Sequence, residues 1–378
     1  MNKSRSFQFK PQVLTALLIA CAFFAPTSFG FINVLLMKKK SAPSPTVTAV
    51  SPIMKLGTGG GTLTVTGTNF RSGLTISIGG TACTSPSYVS ATSATCTIPA
   101  SAGTISQNDV TVTNSDGTNG TLTGGFYYLG EPRIWVRGDA GIQQVAPPKV
   151  DWWFDQSGNA NDFRQFVSGS TNPSYVASSM AFNGMPVLSF NGAAFQALET
   201  YDVGALRNTA GASVFMAASV SQMTDARLFS FERNSAGSPR VFLTADNSPV
   251  GTNIGANATG NFSFYGRHQD ADATHYLRGG TVSTGTAFQM GLVINYPSRA
   301  VSLYVNRTLL DSSTTFGAVS SATKNSANTD SVSSLIGGQD GIGYMTGNIA
   351  EILVYRLELS AAQRQAVENY LKVRYSLP

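Results

Sequence analysis

Charge is what this sequence has least of. Asp, Glu, Lys and Arg together make up 12% of its 378 residues, about half the usual share of a globular domain. Histidine occurs twice and cysteine three times. Glutamate occurs at 131, 199, 232, 351, 358 and 368 only, and no two lie closer than seven positions. Each scarcity excludes something. Two histidines leave little choice of general base, and no G-x-S-x-G motif supplies a serine nucleophile. Three cysteines with no histidine nearby give no zinc site. The chain is therefore expected not to be an enzyme.

A basic surface is missing too. The formal charge of +5 misleads, because Lys3, Arg5, Lys10, Lys38, Lys39 and Lys40 crowd residues 1–40 without an acid. That leaves 19 basic against 20 acidic residues in 41–378. No stripe of positive charge remains to meet nucleic acid.

What fills the sequence instead is Gly, Ser, Thr, Asn and Ala, with Thr, Val and Ser alternating over long stretches. Period-two alternation broken by turn formers reads as short strands, so the expected fold class is all-β.

Residues 1–40 read as a signal peptide or membrane-targeting segment. A basic start precedes the apolar run VLTALLIACAFFA, and Val13 to Met37 carry no charge. Three readings stay open: cleavage before Phe31; a lipobox at Leu18–Cys21 with Cys21 as the lipidated residue; and an uncleaved anchor, long enough to span a bilayer. All three export the chain to the envelope, the outer surface or the medium, with membrane contact only through this segment. SAPSPT at 41–46 reads as an extended linker.

Residues 47–129 carry TLTVTGTNF, LTISIGG, SATCTIP, DVTVTNSDG and FYYLG, each a short run ended by Gly, Asn, Asp or Pro. Turn signals every ten or so positions fit a small Ig-like sandwich. Cys83 and Cys96, thirteen apart, form a disulfide on this reading, with two buried thiols as the alternative. Gly59, Gly60 and Gly61 lack the lysine and helix of a phosphate loop and read as a turn. The order GGGTLTVTGTNF, ISIGGTAC, SATCTIP, DVTVTNSDG resembles the IPT/TIG domains. That resemblance implies a spacer or interaction module, with a disulfide where the cysteines fall.

Residues 131–378 repeat strand signals over about 245 positions and read as a larger jelly-roll sandwich. The end differs: Ser360 stands three before Gln363, a capping box, and Ala366, Val367, Tyr370 and Leu371 recur at helical spacing. IWVRGDAG with WWFDQSGNANDFRQ, then NPSYVASSMAFNGMPVLSFNG, then SLIGGQDGIGYMTGNIAEILVYR resemble the concanavalin A-like lectin/glucanase superfamily in its laminin-G-like branch. The resemblance implies a sandwich that binds glycans, proteins or calcium, or cleaves polysaccharide. The cleaving members carry E-x-D-x-E on one strand, where alternation sets both acids on one face; that motif is absent here. Glu351, mid-strand in IAEILVY, is the carboxylate that stands out, with a solvent-facing or satisfied position as the bland reading.

Three groups are candidate sites. Asp155, Ser157, Asn159, Asn161 and Asp162 place alternating oxygens around Gly158, a pattern that can wrap calcium or simply close a turn on itself. His268, Asp270, Asp272 and His275 lie within eight residues and could hold a metal or form a polar loop. Trp152 and Trp153 cannot both face a core on a strand, so one is outside, where it could stack on a sugar ring, or lies under the cover of a neighbouring loop. Tyr201, Tyr265, Tyr276 and Tyr344 can contribute likewise. The function expected is an exported surface protein that binds a glycan or a host or matrix protein, hence adhesion. The alternatives are a structural module without a ligand and a polysaccharide-active enzyme.

Overall fold

The computed structural model describes residues 42–378, apart from 167–171, 201–205, 207, 223–225, 235–240, 246–251, 258, 269–271, 282, 318–330 and 339–342. Cys21 and the rest of the targeting segment lie outside the described residues. Residues 43–378 form one compact unit whose regular elements are almost all strands.

The first 85 or so of these residues make a two-sheet sandwich. One sheet runs Thr46–Ser51, Thr62–Thr68, Ser93–Thr97, Thr84–Ser90; the other runs Met54–Lys55, Asn119–Leu129, Ile105–Thr113, Thr75–Ile78, Thr81–Ala82. Alternation decides what is inside: in TLTVTGT, Leu63 and Val65 are fully buried and the outer threonines are not. Ile76, Ile78, Val110, Val112 and Phe126 meet them from the second sheet. Cys83 lies where the chain leaves the second sheet for the first, and its disulfide to Cys96 ties the two sheets together. Gly59–Gly61 are all left-handed, and a Cβ on Gly59 would fall 2.6 Å from the backbone of Pro99 and Ala100, so the run is a tight turn.

The remaining chain forms two larger sheets. In the first, Ile134–Arg137 and Met185–Phe190 share one edge of Gly347–Tyr355, followed by Gly211–Val220, Ala287–Asn295, Ala300–Val305 and Thr308–Ser313. The second runs Lys149–Trp153, Phe163–Gln165, Leu198–Thr200, Ser331–Ile336, Arg227–Asn234, Val241–Ala245, Phe262–Gly266, His275–Gly279. Ser174–Ser179 closes the ladder, pairing with Met185–Phe190 and meeting Lys149 through Ser174. One apolar layer joins the sheets, including Val214, Met216, Leu292, Ile352 and Val354 from the first and Trp153, Phe163, Phe229, Leu243 and Phe264 from the second.

The first sheet is buried on its other face as well, which is why all ten residues of Gly211–Val220 are buried. Helix Ala361–Tyr375 covers that face with Ala366, Val367, Tyr370 and Leu371. It starts at the capping box read from the sequence: the Ser360 hydroxyl accepts from the Gln363 N–H, and Gln363 Oε1 accepts from the Ser360 N–H. Met54, Ile105, Tyr127 and Leu129 of the small sandwich enter the same apolar cluster. Tyr355 donates to the Leu129 carbonyl at 3.0 Å, and Asn369 donates to Gln107 Oε1 at 2.9 Å. The two sandwiches therefore share a core around the C-terminal helix.

Candidate functional site

Glu351 is the natural first place to look for chemistry, and it is enclosed. A bulge in Gly347–Tyr355 between the partners of Ala217 and Ala218 turns Glu351 to the same side as Ala350, beneath the helix. There it is fully buried. It accepts from Trp135 Nε1 at 2.6 Å, from the Tyr370 hydroxyl at 2.9 Å and from the Tyr375 hydroxyl at 2.7 Å, with Arg374 Nε at 3.5 Å. Burial, then the Glu351 charge, holds both tyrosine hydroxyls protonated well above 10. A charge so satisfied is a packing centre, the satisfied partner that the bland reading allowed.

The segment DWWFDQSGNANDFRQ resolves into a corner. Asp155 Oδ1 accepts from the backbone N–H groups of Trp135 and Ser157, both at 2.9 Å. Its Oδ2 accepts from the Ser157 hydroxyl at 2.7 Å and the Asn161 N–H at 3.0 Å. Asp162 Oδ1 accepts from the Asp155 N–H at 2.8 Å, and Asn159 Oδ1 from Arg133 at 2.8 Å. Asp155 thus spends both carboxylate oxygens, and Asp162 and Asn159 one oxygen each, on N–H and O–H donors. Their effect is to clamp the chain at Arg133–Trp135, just after the small sandwich. Among the described residues no group of three or more His, Cys, Asp or Glu side chains is placed to hold a metal.

The two histidines of the second cluster pack against aromatic rings. Asp270 lies outside the described residues. His268 is fully buried, its ring 4.9 Å from Tyr296. His275 sits edge-on to Phe316 at 6.1 Å, and burial lowers its pKa below the ordinary histidine value.

The paired tryptophans divide as alternation requires. Trp153 points inward, is fully buried and donates to the Arg137 carbonyl at 2.9 Å, so it cannot meet a ligand. Trp152 points outward, half-buried, and its ring lies parallel to Phe154 at 5.8 Å and 7°. Register extends its position into a row across the second sheet: Trp152, Arg164, Glu199, Leu335, Ser230, Phe242, Tyr265, Tyr276. Two of the tyrosines singled out from sequence thus share a face with Trp152. The middle of the row is covered. Tyr265 is 4% exposed between Phe242 and Tyr276, so the expectation that it meets a ligand directly gives way to packing. The Trp152 end is open: the Arg164 side chain is 43% exposed and stands 3.9 Å from Glu199. Tyr201 lies outside the described residues.

Tyr344 packs over the row, against Phe166, Ala197 and Leu335. Its neighbour was not legible in the sequence. Phe195 meets it edge-to-face at 5.4 Å, 60% exposed, on left-handed backbone with φ 54° and ψ 41°. A bulky side chain there costs about 1 kcal/mol or more. The turn that imposes it is closed by named bonds. Asn191 Oδ1 accepts from the Ala193 N–H, Gln196 Oε1 from the Asn191 N–H, and Thr346 Oγ1 from the Gly192 N–H. Glycine is needed at 192 and 338, where a Cβ would come within 2.4 Å of the Tyr344 carbonyl and 2.6 Å of its ring.

No curated protein matches the chain. Among solved structures it is similar to domain 4 of AbnA, an extracellular arabinanase from Geobacillus stearothermophilus in complex with arabinotriose, at 15% identity and a TM-score of 0.41, covering 62% of this chain and 98% of that one. It is similar to the binding domain of botulinum neurotoxin serotype G at 9% identity and 0.43, covering 63% of this chain and 51% of that one. It is also similar to the Ruminococcus gnavus IT-sialidase CBM40 bound to alpha2,3 sialyllactose, at 17% identity and 0.34, covering 44% of this chain and 90% of that one. One family matches within the chain: residues 45–128, the small sandwich with its disulfide, match the IPT/TIG domain.

Proposed function

We propose that this is an exported envelope or surface protein that binds a glycan without cleaving it and so serves adhesion. On this reading the larger sandwich is of the concanavalin A-like kind and the IPT/TIG domain is the arm that carries it. The observation behind the reading is the open end of the cross-sheet row. Trp152 and Phe154 offer parallel aromatic surface. Gln143, opposite Trp152 on one side, and Arg164, opposite on the other, supply an amide and a guanidinium a strand away. Sugar rings have an apolar face and a polar rim, and strands about 4.8 Å apart set an aromatic platform beside groups that bond hydroxyls. The basic-then-apolar start of the chain and the Cys83–Cys96 disulfide support export to an oxidising compartment. The absence of a close glutamate pair and the enclosure of Glu351 support binding without hydrolysis.

The test is an array of glycans and matrix proteins probed with the full chain, with calcium and with chelator. Binding to one class of glycan, equal in both conditions and weakened about tenfold by Trp152→Ala, is the expected result. Silence from a folded chain would leave a structural module. Binding to matrix proteins alone would replace the glycan. Release of reducing ends from a polysaccharide would overturn the non-catalytic reading.

A further inference from the structure

The open end of the Trp152 row lies beside the corner that clamps Arg133–Trp135. The Phe195–Tyr344 pair lies further along the same face, where Tyr344 packs over the row at Leu335, three strands from Trp152. Strand Gly347–Tyr355 meets the end of the small sandwich at its last residue, where Tyr355 bonds the Leu129 carbonyl. Its first residue is joined to the Phe195 turn through Phe190, which pairs with Gly347. Nine residues at ~3.3 Å each separate those ends by about 26 Å. The pair is therefore on the rim remote from the small sandwich's attachment.

Three observations show that the display of Phe195 is built. Phe195 is 60% exposed although it is the bulkiest residue in NGAAFQA. Its backbone is left-handed, which glycine or asparagine would tolerate more easily. Its partner Tyr344 is seated where Gly192 and Gly338 leave no room for a Cβ. Charge then narrows the ligand. Residues 191–197 and 343–346 contain no Asp, Glu, Lys, Arg or His. The nearby Arg227, bridged to Tyr344 through its backbone, turns its guanidinium over Phe242 at 5.3 Å. An acidic sugar or an anionic lipid surface would find no dedicated cation in these two segments.

We propose that Phe195 and Tyr344 form a second sugar-stacking site on the remote rim, for a single uncharged ring. It rests on the glycan-binding reading and adds a place and a ligand class to it. Phe195 supplies the free aromatic face and Tyr344 braces it edge-on. Two sites on one head would also raise avidity for glycans that reach both.

The test uses the full chain on an array of uncharged and carboxylate-bearing oligosaccharides, with phosphatidylcholine vesicles as the lipid probe. Phe195→Gly suits the left-handed backbone, so its melting temperature should match or exceed that of the native chain. Phe195→Tyr keeps the ring. The expected result is a loss of about tenfold in affinity for uncharged oligosaccharides with Phe195→Gly, retention with Phe195→Tyr, and no binding to vesicles. Glycan binding that is lost with Trp152→Ala yet untouched by Phe195→Gly would overturn this site and leave the broader reading standing. Vesicle binding removed by Phe195→Gly, with no glycan bound by the native chain, would overturn both.

Discussion

Replacing Glu351 by alanine should be among the most damaging single changes in the molecule. The carboxylate is the shared acceptor for Trp135 Nε1, the Tyr370 hydroxyl and the Tyr375 hydroxyl, and it faces Arg374 Nε at 3.5 Å. Alanine leaves three buried donors unpaired, each costing roughly 1–3 kcal/mol, and takes from Arg374 one of its two carboxylate partners, leaving Asp139. Removing one member of a buried charge network typically costs about 3–5 kcal/mol. Against a usual total of about 5–15 kcal/mol, that is a large share of stability. The assay is urea unfolding followed by tryptophan fluorescence, since Trp135 touches the site directly. Tyr370→Phe and Tyr375→Phe serve as controls, each losing one charge-assisted bond worth about 1.5–3 kcal/mol. The helix also packs Tyr370 against Tyr127 of the small sandwich at 5.9 Å, so loosening it should split one cooperative transition into two. An alanine variant within about 1 kcal/mol of the native chain would refute the reasoning, because surface-type tolerance is incompatible with a buried hub.

Two further predictions concern the corner and the helix. Asp155→Ala removes an acceptor of bonds from Trp135, Ser157 and Asn161 and should destabilise the chain by about 2–4 kcal/mol, with Asp155→Asn milder; calcium should leave the native melting temperature unchanged, and a rise with calcium would restore the metal reading. Glu368 lies over Gly291, and its pKa is raised above the ordinary 4.5 by burial, which outweighs the opposing Arg364. The folded state therefore holds this proton more tightly than the unfolded one. Its contribution is full below about pH 4.5 and is lost as pH rises through the folded value. Glu368→Gln should flatten that decline in a pH series of denaturation midpoints, and an unchanged slope would contradict it.

Local chemistry explains which features are legible in the sequence. The capping box at Ser360–Gln363, the turn at Gly59–Gly61 and the alternation of TLTVTGT act over a few residues, and each is present in the fold. The split of Trp152 from Trp153 followed from period two alone. Glu351 was harder. Its strand holds a bulge, which no composition announces, and its partners lie 19, 24 and 216 positions away. The Asp155 run was legible as oxygens but not as acceptors. What ties the corner down is the backbone N–H of Trp135, twenty residues earlier, which donates to Asp155.

The same distinction governs the candidate site. Trp152 is visible in the sequence because tryptophan is rare, yet its value depends on Gln143 and Arg164, which only strand register brings alongside. Phe195 is invisible for the opposite reason. In NGAAFQA it reads as one more apolar residue bound for the core. It stays outside because the turn closes on Asn191, Gln196 and Thr346 before the chain joins the second sheet at Leu198. A large apolar residue held out by a polar turn on unfavourable backbone is a local conflict between sequence and fold. Such conflicts concentrate where function offsets their cost. That is the physical reason to weigh Phe195 above the more numerous aromatics whose rings the sheets have simply buried.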